Sequence, residues 1–167
     1  GGAGIQADLK TFAAHGTFGM SVITAVTAQN TTGVTRIQNI DAEVVAAQID
    51  AVFSDIHVDA VKVGMVSITP IIETIAKKMK AYAPSYLVVD PVMVASGAYL
   101  LEETARRTLL EKLLPLASVI TPNMMEGEVL SGMTIRSKDD MEKAAHAILD
   151  ACGAAVLLKG GHLAQTA

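Results

Sequence analysis

The stretch YLVVDPVMVASG, residues Tyr86–Gly97, decides how the rest of the chain is read. It opens on an unbroken apolar run, Leu87-Val88-Val89. A run with no polar face is predicted to be a strand covered on both sides, as in the middle of a parallel sheet. Pro91 has no N–H to give to a ladder, so the strand should stop there. Ligands of open α/β sheets bind just beyond the carboxyl ends of the strands, which would put Asp90 at the edge of a ligand crevice. Two readings of Asp90 stay open here: a strand-end residue in an Asx turn, or a carboxylate that works on a ligand. Ala95-Ser96-Gly97 closes the stretch as a small, flexible loop.

Working outward towards the N-terminus, Asp59–Val63 reads as a strand ending in Gly64-Met65. A helix follows from Ser67-Ile68-Thr69-Pro70, with Pro70 where its missing N–H costs little. Lys77, Lys78 and Lys80 suit that helix's negative end. Asp41 can cap an earlier helix running to about Asp55, with an apolar face of Val44, Val45, Ile49, Val52 and Phe53. Ser21–Ala28, SVITAVTA, is a β-branched strand with Gln29-Asn30 at its end, and Val34–Ile40 is a shorter one. Gly1–Gly4 leads into a helix with Ile5, Leu9 and Phe12 at helical spacing, closed by Gly16. Towards the C-terminus come a helix Glu102–Leu114 and a strand Ala117–Thr121 stopped by Pro122. A short helix runs from Met124 or Met125 to Leu130 and ends near Gly132. Ser137 with Asp140 resembles a capping arrangement for a helix to Cys152. Ala155–Leu158 is the last strand, and Lys159-Gly160-Gly161 follows it. This alternation predicts an α/β domain with a mainly parallel sheet.

The 167 residues fit a single domain, and a 51% hydrophobic content supplies a sizeable core. A net charge of -4 and a pI near 5.5 leave no general basic field for nucleic acid. Aromatics are 4% with no Trp, which disfavours base-stacking platforms. Cys152 is the only cysteine, which excludes an internal disulfide framework and suits a reducing cytoplasm. No apolar run reaches membrane-spanning length, and no partner membrane is expected. The chain starts on Gly1-Gly2-Ala3-Gly4 and ends on Leu163-Ala164-Gln165-Thr166-Ala167, so both ends read as cut.

If the strands are parallel, their carboxyl ends gather Gln29, Gly64-Met65, Asp90, Asn123 with Glu126, and Lys159 on one rim. Asp90, Asn123 and Glu126 are hard oxygen donors that suit Mg²⁺ held partly through water, as in phosphoryl-transfer sites. Lys159 beside two glycines can set a positive charge against a phosphate. Gln29 carries a donor and an acceptor and can read the edge of a heterocycle. Met65 offers a polarizable surface to a flat ring. The alternatives are plain ones: Gln29 capping a turn, Met65 in the core, Asn123 and Glu126 as helix-start residues, and Lys159 as a solvated strand end. There is no GxxxxGK[ST] run, no GxSxG elbow and no zinc-spaced His pair. His15, His57 and His146 read as surface or helix-end residues, with His162 also standing apart, and Cys152 as a small buried hydrophobe.

GGAGIQADLKTF (Gly1–Phe12), GMSVITAVTAQNT (Gly19–Thr31), VKVGM (Val61–Met65), VVDPVMVASG (Val88–Gly97), LLPLASVITPNMMEGE (Leu113–Glu128) and LLKGGHL (Leu157–Leu163) together resemble the hydroxymethylpyrimidine/phosphomethylpyrimidine kinases. These are the thiamine-biosynthesis branch of the ribokinase-like superfamily. The resemblance covers essentially the whole chain in the family's order. It implies a three-layer α/β fold, with helices on both faces of a mainly parallel central sheet. It implies one kinase domain over residues 1–167 that lacks the family's first strand and its C-terminal segment. The implied activity is ATP- and Mg²⁺-dependent phosphorylation of 4-amino-5-hydroxymethyl-2-methylpyrimidine and then of its monophosphate. Carried over position by position, Gln29 would hydrogen-bond the pyrimidine, and Ala3, Gly4, Thr27 and Met65 would line its pocket. Asp90 and Glu126 would serve Mg²⁺. Lys159, Asn123 and Glu126 would serve ATP.

Three departures from the pattern matter. The strand and AGSD-type turn that precede the glycines in the family are absent, and so is a downstream GTGC motif. That motif would form an anion hole and carry the proposed catalytic cysteine, so no catalytic residue is named in this chain. The loop after Asp90 is one residue shorter than the family's VMVATSG or VMVAKSG: either the loop is truly shortened or a mobile residue is missing from the sequence, and a flexible lid over the phosphates would explain the second case. Pyridoxal kinases share the fold, so vitamin B6 is the alternative substrate, and a non-catalytic pyrimidine-binding module is a third reading. A homodimer is the assembly that the resemblance implies.

Overall fold

The computed structural model describes residues 2–95, 98–99 and 103–161. The chain runs α1 (Ile5–Ala14), β1 (Ala25–Gln29), β2 (Val34–Asn39), α2 (Ala42–Asp55), β3 (Ala60–Val63), α3 (Thr69–Tyr82), β4 (Tyr86–Val89), β5 (Val94–Ala95) and β6 (Ala98–Tyr99). It continues with α4 (Glu103–Thr108), β7 (Val119–Ile120), α5 (Met124–Ser131), α6 (Lys138–Cys152) and β8 (Ala155–Val156). Strands β3, β4, β7 and β8 form one sheet in that order, and every neighbouring pair is parallel.

Because side chains alternate across a strand, the register sorts the residues into two layers. Val63, Val89 and Ile120 are register partners on one face and are buried with Leu87. Into that face pack Val45 and Ile49 of α2, Ile71, Ile72, Ile75 and Met79 of α3, Leu109 and Leu113, and Ala144 and Ile148 of α6. Full burial of side chains this size contributes about 1.5–3 kcal/mol each. The opposite face carries Lys62, Val88, Val119 and Ala155 in register. Lys62 there meets Asp8 of α1, so α1 lies across the sheet from the other packed helices. Tyr86 and Leu157, of the same parity, are 64% and 60% exposed. The two-sided strand predicted at 86–90 is therefore covered on its core face by helices and only partly on the other.

Several boundaries depart from expectation for identifiable reasons. The strand expected over 21–28 begins at Ala25, and it pairs antiparallel with β2 in a separate ribbon. Residue 23 has its backbone N–H and carbonyl taken by the Gln48 side chain at 2.9 and 3.1 Å, which stands in for a strand neighbour. Gln29 thus does not belong to the parallel rim. The root of the ribbon is nevertheless fastened there: Thr24 donates to the Met65 carbonyl at 3.1 Å, and Ser67 donates to Asn39 Oδ1 at 2.6 Å. The helix expected over 102–114 is α-helical only to Thr108, then turns wide over Leu109–Leu113 and tight over Leu114–Leu116. Pro115 cannot supply the N–H that an α-helix needs there. Asp41 occupies the N-cap of α2 without capping through its side chain, and Val44 faces solvent. Gly16, Gly132 and Gly153 all close helices at positive φ, as glycine does without strain. The loop expected at 95–97 includes Ser96 and Gly97, which lie outside the described residues, as do Glu102 and His162. Its flanks, β5 and β6, pair antiparallel. Cys152 is half-buried against the core.

Candidate functional site

The parallel ladder does not stop where the strands formally end. The Asp90 N–H donates to the Val63 carbonyl at 2.8 Å, and the Thr121 N–H donates to the Val89 carbonyl at 3.0 Å. Beyond β8, Lys159 pairs in parallel with Asn123, its N–H donating to the Pro122 carbonyl at 2.8 Å. These last rungs bring Asp90, Thr121, Asn123 and Lys159 side by side at one edge of the sheet. Pro91 and Pro122 are both fully buried there, and neither has an N–H to give to a neighbouring strand.

The side chains then meet across the strands. Lys159 Nζ donates to Asp90 Oδ1 at 2.9 Å, and Thr121 Oγ1 donates to the same oxygen at 3.2 Å. Asp90 Oδ2 has no partner among the described residues. Asp90 is 24% exposed and Lys159 45% exposed, so the pair opens to solvent on the lysine side. The strand-end Asx turn is not what forms: the short turn at Pro91 is made by the backbone, with the Val92 N–H donating to the Asp90 carbonyl at 2.8 Å.

Glu126 is built differently. It is 2% exposed, and Asn123 and Glu126 form a reciprocal cap on α5. Asn123 Oδ1 accepts the Glu126 N–H at 2.9 Å, and Glu126 Oε2 accepts the Asn123 N–H at 2.8 Å. Glu126 Oε1 accepts the Met93 N–H at 3.2 Å, which ties the segment after Asp90 to the start of α5. Burial pushes the Glu126 carboxyl above the ordinary glutamate range; the two backbone donors pull against it, and the nearby Asp90 charge adds to the rise. The helix-start reading is therefore the one that forms at 123 and 126. A carboxylate also repels phosphate, so any part Glu126 takes in ATP binding runs through a cation or through Asn123.

The residues expected to hold a ring are more dispersed. Thr27 and Gln29 share the half-buried face of β1 with Ala25, while Val26 and Ala28 point to solvent. The Gln29 side-chain amide has no partner among the described residues and is free to donate and accept. Ala3 and Gly4 are exposed at the start of α1, where Gly4 has φ 61° and ψ −140°. That backbone is nearly closed to other residues. Met65 is half-buried just past β3 and touches the ribbon through its carbonyl. No hydrogen bond or ion pair links Ala3, Gly4, Thr27 or Gln29 to the Asp90–Lys159 pair among the described residues.

The family model for phosphomethylpyrimidine kinase matches residues 1–167. The chain belongs to the phosphomethylpyrimidine kinase family. It is 54% identical over 165 residues to a hydroxymethylpyrimidine/phosphomethylpyrimidine kinase of Rhizobium meliloti, covering 98% of this chain and 62% of that one. Among solved structures, a phosphomethylpyrimidine kinase of Clostridium difficile superposes with a TM-score of 0.91 at 52% identity, covering 99% of this chain and 72% of that one. A pyridoxal kinase of Staphylococcus aureus in complex with ADP superposes with a TM-score of 0.86 at 37% identity, covering 98% of this chain and 60% of that one. The chain thus spans about 62% of the length of the curated relative quoted. The fold is the ribokinase-like α/β fold of these kinases.

For a phosphomethylpyrimidine kinase the donor set at the rim can be tested against a cation. Among the described residues, no cluster of three or more His, Cys, Asp or Glu is close enough to hold a metal alone. Mg²⁺ needs no such cage; one or two carboxylates, waters and substrate phosphates suffice. Asp90 Oδ2 fits as a direct oxygen donor, and Glu126, whose oxygens already accept N–H groups, fits through water with its remaining lone pairs. Thr121 was not singled out in the sequence. Its signal is a hydroxyl at the end of a short buried strand, one residue before Pro122, but a single threonine there is also what a strand end commonly carries. His57 and His146 are exposed, and His15 caps α1 in solvent.

Proposed function

We propose that the full-length protein is an ATP-dependent kinase of hydroxymethylpyrimidine, and of its monophosphate, in thiamine biosynthesis. The observation that carries this reading is the Asp90–Lys159 pair, 2.9 Å apart across the ends of the parallel sheet, in a chain that the family matches from end to end. In the first step the substrate hydroxyl oxygen, and in the second an oxygen of the monophosphate, forms a bond to the γ-phosphorus; the bond from that phosphorus to the bridging oxygen breaks, ADP leaves, and the proton of the attacking hydroxyl passes to solvent. Catalysis of this kind rests on positioning and charge stabilisation more than on covalent chemistry. Lys159 and the amide nitrogen of Asn123 would meet the phosphates. Asp90, with Glu126 through water, would hold Mg²⁺, which when bound neutralises phosphate charge. Gln29 would pair with the ring edge, with Ala3, Gly4, Thr27 and Met65 around it. No catalytic base is assigned in this chain.

The same reading makes residues 1–167 part of one ribokinase-like kinase domain working as a homodimer in the cytoplasm. No helix among the described residues is long and apolar enough to cross a membrane. The second substrate reading, a pyridoxal kinase, is supported by the similarity to the Staphylococcus aureus enzyme. ADP release by the full-length protein, measured with hydroxymethylpyrimidine and with pyridoxal, tests both. Turnover of the pyrimidine with a higher kcat/KM than pyridoxal is the expected result. The reverse ranking favours the vitamin B6 reading, and turnover of neither ends the kinase proposal.

A further inference from the structure

The candidate ring-pocket residues sit on separate elements, yet one ion pair joins two of these elements. Lys62 Nζ donates to Oδ1 and Oδ2 of Asp8, both at 3.0 Å, across 54 positions of chain. The two side chains are each 28% exposed, so the pair is partly shielded without being sealed. Asp8 is tied back to the glycines, because its N–H donates to the Gly4 carbonyl at 3.0 Å. Gly4 holds that carbonyl in place with a backbone at φ 61° that favours glycine. At the other end, Lys62 precedes Met65 on the same strand end, and its ammonium reaches up beside Gly64. A Cβ on Gly64 would lie 3.3 Å from Lys62 Nζ, so the glycine leaves the ammonium its room. The Met65 carbonyl in turn accepts the Thr24 hydroxyl at the root of β1. A run of contacts therefore leads from Gly4 through Asp8 and Lys62 to residues 64–65 and the ribbon that bears Thr27 and Gln29.

We propose that Asp8 and Lys62 are positioning residues that set the spacing between the glycine turn before α1 and the Met65 wall, and through it the fit of the pyrimidine. This rests on the kinase reading above and gives neither residue a contact with substrate. Ion pairs open to solvent add little to global stability, whereas a small displacement of a substrate wall is costly to binding and turnover. The test compares full-length wild type with Asp8→Asn, Lys62→Met, their double variant and the conservative Lys62→Arg. KM for hydroxymethylpyrimidine, KM for ATP and Tm are read for each. The expected result is a rise of about tenfold in the pyrimidine KM for each single variant. The double variant should be no worse than either single, Lys62→Arg should stay near wild type, and the ATP KM should hold within about twofold. An unchanged pyrimidine KM in both single variants, or equal rises in both KM values with a matching fall in Tm, overturns the proposal. If wild type phosphorylates no pyrimidine, the kinase reading falls first and takes this proposal with it. An active wild type with indifferent variants removes only the positioning role.

Discussion

At the scale of single residues, charge and hydrogen-bond supply decide what each rim position can do. Asp90 commits Oδ1 to Thr121 and Lys159 and leaves Oδ2 without a donor among the described residues, whereas Glu126 spends both oxygens on backbone N–H groups. The two acids therefore have different hydrogen-bond surroundings. Glu126 has its carboxyl raised, first by burial, so between the ordinary glutamate value and the raised one the folded chain binds more proton than the unfolded chain. The stability this gives is complete below the ordinary glutamate value of about 4.3 and is lost as pH rises through the raised one. We expect the Tm of wild type to fall relative to Glu126→Gln as pH increases from 4 to 8. The substitution also removes an acceptor, but that displaces the whole curve; a difference that stays constant with pH contradicts the assignment. Gln29 is the opposite case, an amide with no hydrogen-bond partner among the described residues. Gln29→Ala in the full-length protein should raise the pyrimidine KM about 5- to 150-fold, the worth of one lost buried hydrogen bond. The ATP KM should hardly move, and an unchanged pyrimidine KM removes Gln29 from the site. Asp90 was legible in the sequence because an apolar run and Pro91 locate it on one strand. Its partner Thr121 and the Asp8–Lys62 pair were not, since such pairings depend on register across elements.

Elements are where the rim gains rigidity, and glycine packing sets the tolerance. A Cβ added at Gly127 of α5 would fall 2.6 Å from Leu158 Cδ1 and 3.3 Å from Ile135 Cδ1. Alanine has the better helix propensity, by at most about 1 kcal/mol, while overpacking costs about 1–3 kcal/mol. Packing should win. We expect Gly127→Ala to lower unfolding free energy by about 1 kcal/mol in chemical denaturation, the difference between those two terms. It should also weaken ATP binding, because Leu158 immediately precedes Lys159; an undiminished stability would show that Leu158 turns aside freely. The order of elements, their type and most helix ends could be read from periodicity, capping residues and glycines. The ribbon could not. Ser21–Thr24 carry strand-forming side chains, but the backbone at 23 is satisfied by Gln48 from α2, a tertiary substitution that strand propensity does not record. Antiparallel pairing of β1 with β2 likewise moved Gln29 off the parallel rim, although its root remains fastened beside Met65.

For the molecule as a whole, the two faces of the sheet are unequally covered. Tyr86 and Leu157 stand exposed on the face that α1 covers only in part, near Val88 and Val119. Exposed apolar patches bind hydrophobic dyes and promote association. A polypeptide of these 167 residues should enhance ANS fluorescence, and Tyr86→Ser with Leu157→Ser should lower that signal by about half while leaving far-UV circular dichroism unchanged. An equal signal from the double variant would mean that the dye binds elsewhere. The strand order carries a different consequence. In the four-stranded sheet, β3, β4, β7 and β8 lie side by side in the order in which they are synthesised. Each new strand can dock on the outer edge of the last, with no need to insert between strands already paired. A chain emerging from the ribosome, N-terminus first, could thus lay down the carboxylate at 90 and the helix cap at 123–126 while the lysine is still to be made. The cation that balances Asp90 arrives just after β8, so the Asp90–Lys159 pair can form only once the last of these four strands has been laid down.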